Sequence, residues 1–227
     1  MKKYTTIYFD LDNTLLDFTK TEYKAIKKLL SMYNLPDGDD VAKLYSAINQ
    51  SFWEAFERGD IKKQEIYAGR FRKLLEELNE SKDPEAMATD YFECLAAGHD
   101  VMEGAVEILE WLRNNGYKIY ATTNGVAQTQ YRRIKESGLE PLFDGIFVSE
   151  EANHQKPEKE YFHYVMENSD EKDKSKILIV GDSQSSDILG GINSGIDTCW
   201  FNPKGQKSEY YSKFELKELE ELTKILK

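Results

Sequence analysis

Short apolar runs rich in β-branched and aromatic residues recur along this chain, and from residue 101 onward they alternate with stretches of helical periodicity. The runs cover residues 4–10, 117–123, 143–149, 176–182 and 196–202. Between the first two runs, "GAVEILEWLRNNG" has apolar residues at i, i+3, i+4 and i+7 and ends in Asn-Gly, which predicts a helix that stops there. Another helix is predicted from Pro157, because proline suits the first helical position. Strands alternating with helices predict a parallel sheet covered on both faces.

The segment between the first strand and residue 99 follows another pattern. Residues 20–98 contain few β-branched residues, and their apolar residues follow helical spacing, most clearly in "YAGRFRKLLEEL". We therefore expect about four helices, inserted after the first strand. The predicted fold class is α/β, with a discontinuous core formed by residues 1–16 and 99–227 and an all-helical domain at 17–98. A chain of 227 residues is long enough for this arrangement.

Composition excludes several classes of function. The chain is 40% hydrophobic and 31% charged, as in soluble globular proteins, and its net charge of −11 is unsuited to a general binder of nucleic-acid polymers. Cys94 and Cys199 lie far apart, which argues against a disulfide framework and favours the reducing cytoplasm. The N-terminal apolar run ends at Asp10, too early for a signal peptide, and no run has the roughly 18 apolar residues of a membrane span. We expect a cytoplasmic monomer or small homo-oligomer.

Carboxylates follow two of the predicted strands. Asp10 ends the first strand and Asp12 lies two residues further on; two carboxylates that close together need a proton or a cation. The same residues, in "DLDNT", also suit an ordinary turn. Asp182 ends another strand, and since ligands of open α/β sheets bind beyond the carboxyl ends of the strands, a third carboxylate there suits Mg²⁺. Asp187 either supports the metal or favours the start of a helix.

Two further segments offer groups that bind anions. Thr123 and Asn124, in "TTNG", place a hydroxyl and backbone N–H groups before a helix, although Asn-Gly is also a common turn. Lys156 stands before Pro157, after the third core strand. Its default interpretation is a solvated surface lysine; the functional alternative is an ammonium group that neutralises phosphate oxygens.

These residues together match phosphoryl transfer through an aspartyl phosphate. Asp10 would attack phosphorus. Asp12 would give a proton to the leaving alcohol and later take one from water. Thr123 and Lys156 would hold the phosphate oxygens.

Four motifs, "DLDNT", "TNG", "KP" and "GDSQSSD", stand in the order found in the haloacid dehalogenase superfamily, which the chain therefore resembles. The resemblance implies a Rossmann-like three-layer core, a helical cap inserted after the first motif, and Mg²⁺. It assigns the metal to the Asp10 carboxylate, the Asp12 backbone carbonyl and Asp182, with Asp187 in support. The dehalogenases of the superfamily lack the second aspartate of the first motif, so Asp12 favours phosphate chemistry.

Residues 52–71 and 181–205 resemble the bacterial pyrimidine 5′-nucleotidase branch. This resemblance implies small phosphomonoester substrates, with nucleoside 5′-monophosphates favoured. Arg58 is then predicted to contact the leaving group. Trp53 and Phe56 either line a base pocket or belong to the core of the cap.

Other functions remain open from the sequence. Within enzymes they are a phosphatase of phosphoglycolate or of sugar phosphates and a β-phosphoglucomutase. The non-enzyme alternative is a phosphate-binding or phospho-accepting module, such as a receiver domain, which has no need of so long a helical insert.

Overall fold

One parallel sheet of six strands organises the α/β part of the protein. The computed structural model describes residues 3–226, and within them the strand order is β3-β2-β1-β4-β5-β6, with every neighbouring pair parallel. The strands are β1 Thr6–Phe9, β2 Lys118–Thr123, β3 Gly145–Val148, β4 Ile177–Gly181, β5 Asp197–Phe201 and β6 Phe214–Leu216. The predicted α/β class with a parallel sheet is confirmed.

Helices occupy most of the remaining described chain. The α-helices are α1 Phe18–Met32, α2 Asp39–Glu57, α3 Lys63–Leu78, α4 Pro84–Ala96, α5 Ala105–Asn114, α6 Ala127–Glu136, α7 Ser149–Ala152, α8 Lys159–Asn168, α9 Leu189–Ser194 and α10 Leu222–Leu226. Single 3₁₀ turns cover Glu140–Leu142, Lys174–Lys176 and Leu219–Glu221, and a π-helical turn covers Gln184–Ile188. None of the helices within residues 3–226 is long and apolar enough to cross a membrane.

Contacts between Cα atoms divide the chain into two compact units. Residues 1–17 and 100–227 form the α/β unit, and residues 18–99 form a helical unit made of α1 to α4. Each boundary lies one residue beyond the one expected from the sequence.

Side chains of the α/β unit alternate between two apolar layers. In β1, Ile7 and Phe9 pack into the layer that contains α5, whereas Tyr8 packs into the layer that contains α8. In β4, Leu178 and Ile179 divide between the two layers in the same way. A strand covered on both faces is apolar at almost every position, which explains why β1 and β4 are hydrophobic runs apart from the buried Thr6.

The helical unit has its own hydrophobic core. Leu29 of α1, Tyr45 of α2, Phe71 of α3 and Tyr91 of α4 are buried in one cluster, so each of the four helices contributes. Helix α4 begins where the Asp83 carboxylate accepts hydrogen bonds from two backbone N–H groups of the first turn. Helical spacing, helix caps and few β-branched residues are therefore sufficient to account for these helices.

One local prediction was wrong, and one strand was missed. Helix α8 begins at Lys159, because Pro157 belongs to the preceding loop and is joined to Lys156 by a cis peptide bond. Strand β6, Phe214–Leu216, was not predicted, because three residues in a charged segment carry no clear alternation. It is defined by its pairing with β5 at the edge of the sheet.

Candidate active site

The order of the strands brings Asp10, Thr123 and Asp182 to one edge of the sheet. Strand β1 lies between β2 and β4, and these residues end or directly follow the three strands. Successive strands spread outward from β1 in one direction and from β4 in the other, so the order reverses between them. Such a reversal opens a crevice beyond the carboxyl ends, where ligands of this kind of sheet bind.

The backbone fixes the two carboxylates that leave β1 and β4. The Asp10 N–H donates to the Val180 carbonyl at 2.9 Å, which extends the sheet by one residue. The Asp182 N–H donates to Thr14 Oγ1 at 3.1 Å, and its carbonyl accepts from Trp200 Nε1 at 2.8 Å. Both side chains therefore start from positions that the sheet and its loops hold.

Three carboxylates converge beyond these strand ends. One oxygen from each of Asp10, Asp182 and Asp187 lies within 4.8 Å of the other two. Asp187 is fully buried and accepts from the Ser183 N–H at 3.1 Å. A Cβ at Gly181 would lie only 2.2 Å from Asp187 Oδ2, so the glycine makes room for this carboxylate.

Lys156 is a buried partner of two of these carboxylates. Its Nζ donates to Asp10 Oδ1 at 2.6 Å, to Asp187 Oδ1 at 2.7 Å and to the Thr122 carbonyl at 3.1 Å, and the residue is 1% exposed. Asn124 holds its backbone, since the side-chain amide accepts from the Lys156 N–H at 2.9 Å and donates to the Lys156 carbonyl at 2.8 Å. The solvated interpretation of Lys156 is excluded by this burial.

Burial shapes the charge of the cluster. It raises the pKa of Asp10 to about 7, against the lowering effect of Lys156, and it raises the pKa of Asp182, with the charge of Asp10 adding to the shift. Burial would lower the pKa of Lys156, but Asp10 and Asp187 outweigh it and the net pKa lies above its ordinary value. One ammonium cannot balance three ionised carboxylates, so protons are retained in the metal-free cluster, and a cation could replace them. An all-oxygen donor set of this kind fits Mg²⁺.

Asp12 has partners of its own on helix α6. Its Oδ1 accepts from Arg133 Nη1, and its Oδ2 accepts from Gln130 Nε2 at 2.8 Å. Arg133 Nη1 also donates to Gln130 Oε1 at 2.9 Å. Both helix residues are buried, so the structure places Asp12 against two rigidly packed donors one helical turn apart.

Thr123 joins this network. Its Oγ1 accepts from the Gly125 N–H at 3.0 Å and from Gln130 Nε2 at 2.9 Å. Thr123 is buried at the end of β2. Six of the seven site residues predicted in the α/β unit are thus joined by hydrogen bonds into two groups. One group is Asp10, Asp187 and Asn124 around Lys156, and the other is Asp12 and Thr123 around Gln130. The seventh, Asp182, lies beside Asp10 and Asp187.

The other three predicted residues belong to the helical unit. Phe56 is buried and Trp53 is half-buried, and their rings meet edge to face at 5.8 Å between centroids. Arg58 directly follows α2, is exposed, and donates through Nε to Asp60 Oδ2 at 2.9 Å. An exposed pair of this kind contributes little to stability.

Sequence reasoning missed Gln130 and Arg133. A signal was present in the sequence, because the segment after the predicted anion site, residues 127–136, is mostly polar. In the structure the buried face of this helix carries Thr129, Gln130, Arg133 and Ile134. A helix whose buried face is polar requires buried partners for those groups. That pattern could have directed attention to α6.

The haloacid dehalogenase-like hydrolase family model matches residues 7–201. The chain belongs to this family. The prediction from the four motifs is confirmed, and with it the prediction of a hydrolase.

Three bacterial proteins show how similar the relatives are. YfnB of Bacillus subtilis, which carries the name of a HAD-hydrolase, is 41% identical over 100% of this chain and 97% of its own length. The pyrimidine 5′-nucleotidase PynA of Streptococcus pneumoniae is 36% identical, covering 88% of this chain and 84% of that protein. The pyrimidine 5′-nucleotidase YjjG of Escherichia coli is 34% identical, covering 88% and 87%. Relatives of these names are consistent with a phosphoric monoester hydrolase.

The crystal structure of Bacillus subtilis YfnB in its orthorhombic form aligns with a TM-score of 0.94 at 40% identity, over 99% of each chain. That structure is described as bound to magnesium and as revealing interdomain movement. The fold of the family is therefore the fold of this chain.

Proposed function

We propose that this protein is a Mg²⁺-dependent phosphomonoester hydrolase that acts through an aspartyl phosphate formed on Asp10, with nucleoside 5′-monophosphates as its substrates. The observation that carries the proposal is the contact of the buried Lys156 ammonium with both Asp10 and Asp187, beside Asp182, at the carboxyl edge of the sheet. Burying two carboxylates and an ammonium costs desolvation free energy. Buried ionisable clusters of this kind are typical of binding and catalytic sites.

The residues fit a magnesium ion. Asp10, Asp182 and Asp187 provide carboxylate oxygens close enough to surround one cation, and the family resemblance adds the Asp12 backbone carbonyl. When bound, Mg²⁺ neutralises negative charge shared by the carboxylates and the phosphate group.

The proposed reaction has two steps. In the first, an Asp10 oxygen forms a bond to phosphorus, the bond from phosphorus to the leaving oxygen breaks, and Asp12 gives that oxygen a proton. In the second, water attacks phosphorus, Asp12 takes the proton of the water, and the bond from phosphorus to Asp10 breaks. Free phosphate and the Asp10 carboxylate result. Lys156 and Thr123 hold phosphate oxygens in both steps, and Asn124 holds the backbone of Lys156 in place.

The substrate class rests on the relatives. PynA and YjjG are both named pyrimidine 5′-nucleotidases, which supports nucleoside 5′-monophosphates for this chain. The contact of Arg58 with the leaving group stays a prediction. So does a base pocket lined by Trp53 and Phe56.

A phosphate-release screen tests the substrate class. Purified protein with Mg²⁺ is offered a panel that includes UMP, dTMP, phosphoglycolate and sugar phosphates, and free phosphate is measured. UMP and dTMP should be hydrolysed with higher kcat/KM than the sugar phosphates. Equal or lower values for the two nucleotides would remove the nucleotidase proposal and favour a sugar-phosphate or phosphoglycolate phosphatase. Phosphate release without a bisphosphate requirement would exclude the mutase.

Asp10→Asn tests the nucleophile. The variant should lose more than about 1,000-fold in kcat, because a carboxamide cannot form the aspartyl phosphate, while the fold is retained. Phosphate release and circular dichroism measure the two properties. Retained turnover in a folded Asp10→Asn protein would show that another residue attacks phosphorus.

A further inference from the structure

Helix α6 contacts two different parts of the proposed machinery through one pair of side chains. Gln130 Nε2 donates both to Asp12 Oδ2 at 2.8 Å and to Thr123 Oγ1 at 2.9 Å, while Arg133 Nη1 donates to Asp12 Oδ1 and to Gln130 Oε1. Gln130 is 1% exposed and Arg133 is fully buried. The proposed proton donor and a phosphate-binding hydroxyl thus share a buried glutamine.

The orientation of the Gln130 amide follows from its neighbours. Its oxygen faces Arg133, which can only donate, and its nitrogen faces Asp12 Oδ2, which accepts from it. A flipped amide would put its N–H groups against the guanidinium of Arg133 and its oxygen against Asp12 Oδ2. The contact with Arg133 would become repulsive, and so would the contact with Asp12 in its ionised form. Asp12 and Arg133 therefore leave the amide one orientation.

This orientation decides what the Thr123 hydroxyl can do. Its oxygen accepts from the Gly125 N–H and from Gln130 Nε2, which uses both lone pairs. The hydroxyl proton is then available to donate, and an anion such as a phosphate oxygen is the partner it suits. With the amide flipped, Thr123 would donate to Gln130 and could not donate to a substrate.

The turn at Gly125 is built around Gln130. A Cβ at Gly125 would lie 2.6 Å from Gln130 Cδ and Cγ and 2.7 Å from its Nε2. Any other residue at position 125 would push the glutamine away from Thr123 and Asp12. The close approach of the turn and the side chain is a second observation that the position of Gln130 is specified.

We propose that Gln130 and Arg133 are positioning residues. Arg133 acts directly on Asp12 and helps to orient the Gln130 amide, and Gln130 contacts both Asp12 and Thr123. One helical turn thus positions the group proposed for proton transfer and the group proposed for phosphate binding. The inference rests on the proposed function, because it takes Asp12 as the proton donor and Thr123 as a phosphate ligand.

A double-mutant cycle tests the action of Arg133 on Asp12. Arg133→Met should lower kcat/KM for UMP by about 10- to 100-fold in the wild-type background and by less than about threefold in an Asp12→Asn background. With p-nitrophenyl phosphate, whose leaving group needs no proton, the loss in the wild-type background should also be below about threefold. Arg132→Met is the matched control, because Arg132 is the exposed neighbour paired with Glu136, and it should behave as wild type.

Gln130 is tested through phosphate binding. Gln130→Met should raise the inhibition constant for inorganic phosphate by about tenfold, because the Thr123 proton is no longer directed toward the anion. Arg133→Met should raise this constant by less than about threefold, because Asp12 Oδ2 still accepts from the amide nitrogen of Gln130. The exposed Gln128 provides the control variant Gln128→Met. Thermal unfolding of every variant checks the fold. If Arg133→Met does not fold, the double-mutant cycle with Asp12→Asn is repeated with Arg133→Lys and with Gln130→Met.

The outcomes separate this inference from the proposed function. If wild-type protein with Mg²⁺ hydrolyses neither UMP nor p-nitrophenyl phosphate, both are overturned. If wild type is active but Arg133→Met loses equally in both backgrounds and with both substrates, Arg133 has a structural role only and the positioning inference alone is overturned. An unchanged phosphate inhibition constant in Gln130→Met overturns the part that concerns Thr123.

Discussion

Asp10 and Asp12 are two identical side chains with different surroundings. Asp10 is buried beside Lys156 and two further carboxylates, whereas Asp12 is more exposed and held by Arg133 and Gln130. A nucleophile and a proton donor need different environments, and pairs of carboxylates often divide in this way. The proposed roles of the two aspartates therefore follow from the groups that surround each carboxylate, because the side chains themselves are identical.

Replacing Asp12 by asparagine should affect substrates unequally. We expect Asp12→Asn to lower kcat for UMP by about 100- to 10,000-fold, because general acid catalysis is lost where the leaving group needs a proton. The loss for p-nitrophenyl phosphate should be smaller in the first step. The kcat/KM values of both substrates, which report the first step alone, measure the difference. A loss of kcat/KM of the same size for both substrates would contradict the role of Asp12 as a proton donor.

Gly181 should be essential for the position of Asp187. In Gly181→Ala the new Cβ would meet the Asp187 carboxylate, so that side chain must move away from Lys156 and from the proposed metal. We expect Mg²⁺ affinity to fall by about 10- to 100-fold, as when a supporting group of a metal site is disturbed. Isothermal titration calorimetry measures the affinity.

Gly38→Ala is the matched control for this experiment. The Cβ at Gly38 would meet only the exposed Asp40 carboxylate, which can turn into solvent. Mg²⁺ affinity in Gly38→Ala should equal that of wild type. A Gly181→Ala protein with wild-type affinity would show that Asp187 does not support the metal.

At the scale of elements, helices α1, α2 and α3 are joined by a chain of two buried side-chain hydrogen bonds, called the relay below. Asn49 Nδ2 donates to Glu22 Oε1 at 2.7 Å, and Arg70 Nη1 donates to Asn49 Oδ1 at 2.8 Å. Arg70 also lies over the ring of Tyr91, with 4.7 Å between its guanidinium carbon and the ring centroid. Asn49 thus connects a buried acid to a buried base that lie on different helices.

Breaking the relay should destabilise the helical unit. Asn49→Leu removes one hydrogen bond from Glu22 and one from Arg70, both of which are buried. Each buried polar atom left without a partner lowers the free energy of unfolding by about 1–3 kcal/mol. We expect a loss of about 2–5 kcal/mol in the free energy of unfolding, measured by urea denaturation. The exposed neighbour Gln50 donates to Glu54 on the same helix, and Gln50→Leu should change stability by less than about 0.5 kcal/mol. Similar losses in the two variants would show that the relay does not stabilise the unit.

At the scale of the whole molecule, the candidate site exists only when the sheet is complete. Asp10, Thr123, Lys156 and Asp182 lie on four separate segments of the chain and meet only through the strand order. A ligand of this site binds the folded chain and not the unfolded one, so it must stabilise the fold. Metal binding and folding are expected to be linked.

The stabilisation by Mg²⁺ should increase with pH. In the metal-free fold the pKa of Asp10 is raised from 3.8 to about 7 and that of Asp182 is also raised, so the folded state holds protons that the unfolded state has lost. Metal-free stability from these groups therefore falls as the pH rises from about 4 through 7. Mg²⁺ requires deprotonated carboxylates, so its competition with protons weakens over the same range.

We expect the increase in Tm caused by a fixed Mg²⁺ concentration to be larger at pH 8 than at pH 6. Differential scanning fluorimetry measures the shift, and NaCl of equal ionic strength controls for screening of the net negative charge. Asp182→Asn should abolish most of the Mg²⁺-dependent shift. An equal Mg²⁺ shift at both pH values would contradict the raised pKa values.

Much of the fold could be predicted because its signals are local. The five predicted apolar runs correspond to β1 through β5, since buried parallel strands are continuous hydrophobic segments. The short strand β6 and the start of α8 could not be placed in this way. A three-residue edge strand depends on its neighbour, and Pro157 precedes the helix instead of opening it.

The sequence by itself determined the alternation of strands and helices, the helical character of residues 18–99, and the acidic residues at the strand ends, because periodicity and strand termini are properties of neighbouring positions. Only the tertiary structure decided which groups meet. Lys156 reaches Asp10 across 146 positions, and Arg133 reaches Asp12 across 121. Such pairs depend on how the strands are ordered and how helices pack on the sheet, and burial then sets the pKa of Asp10 and the single orientation of Gln130. No local pattern contains that information.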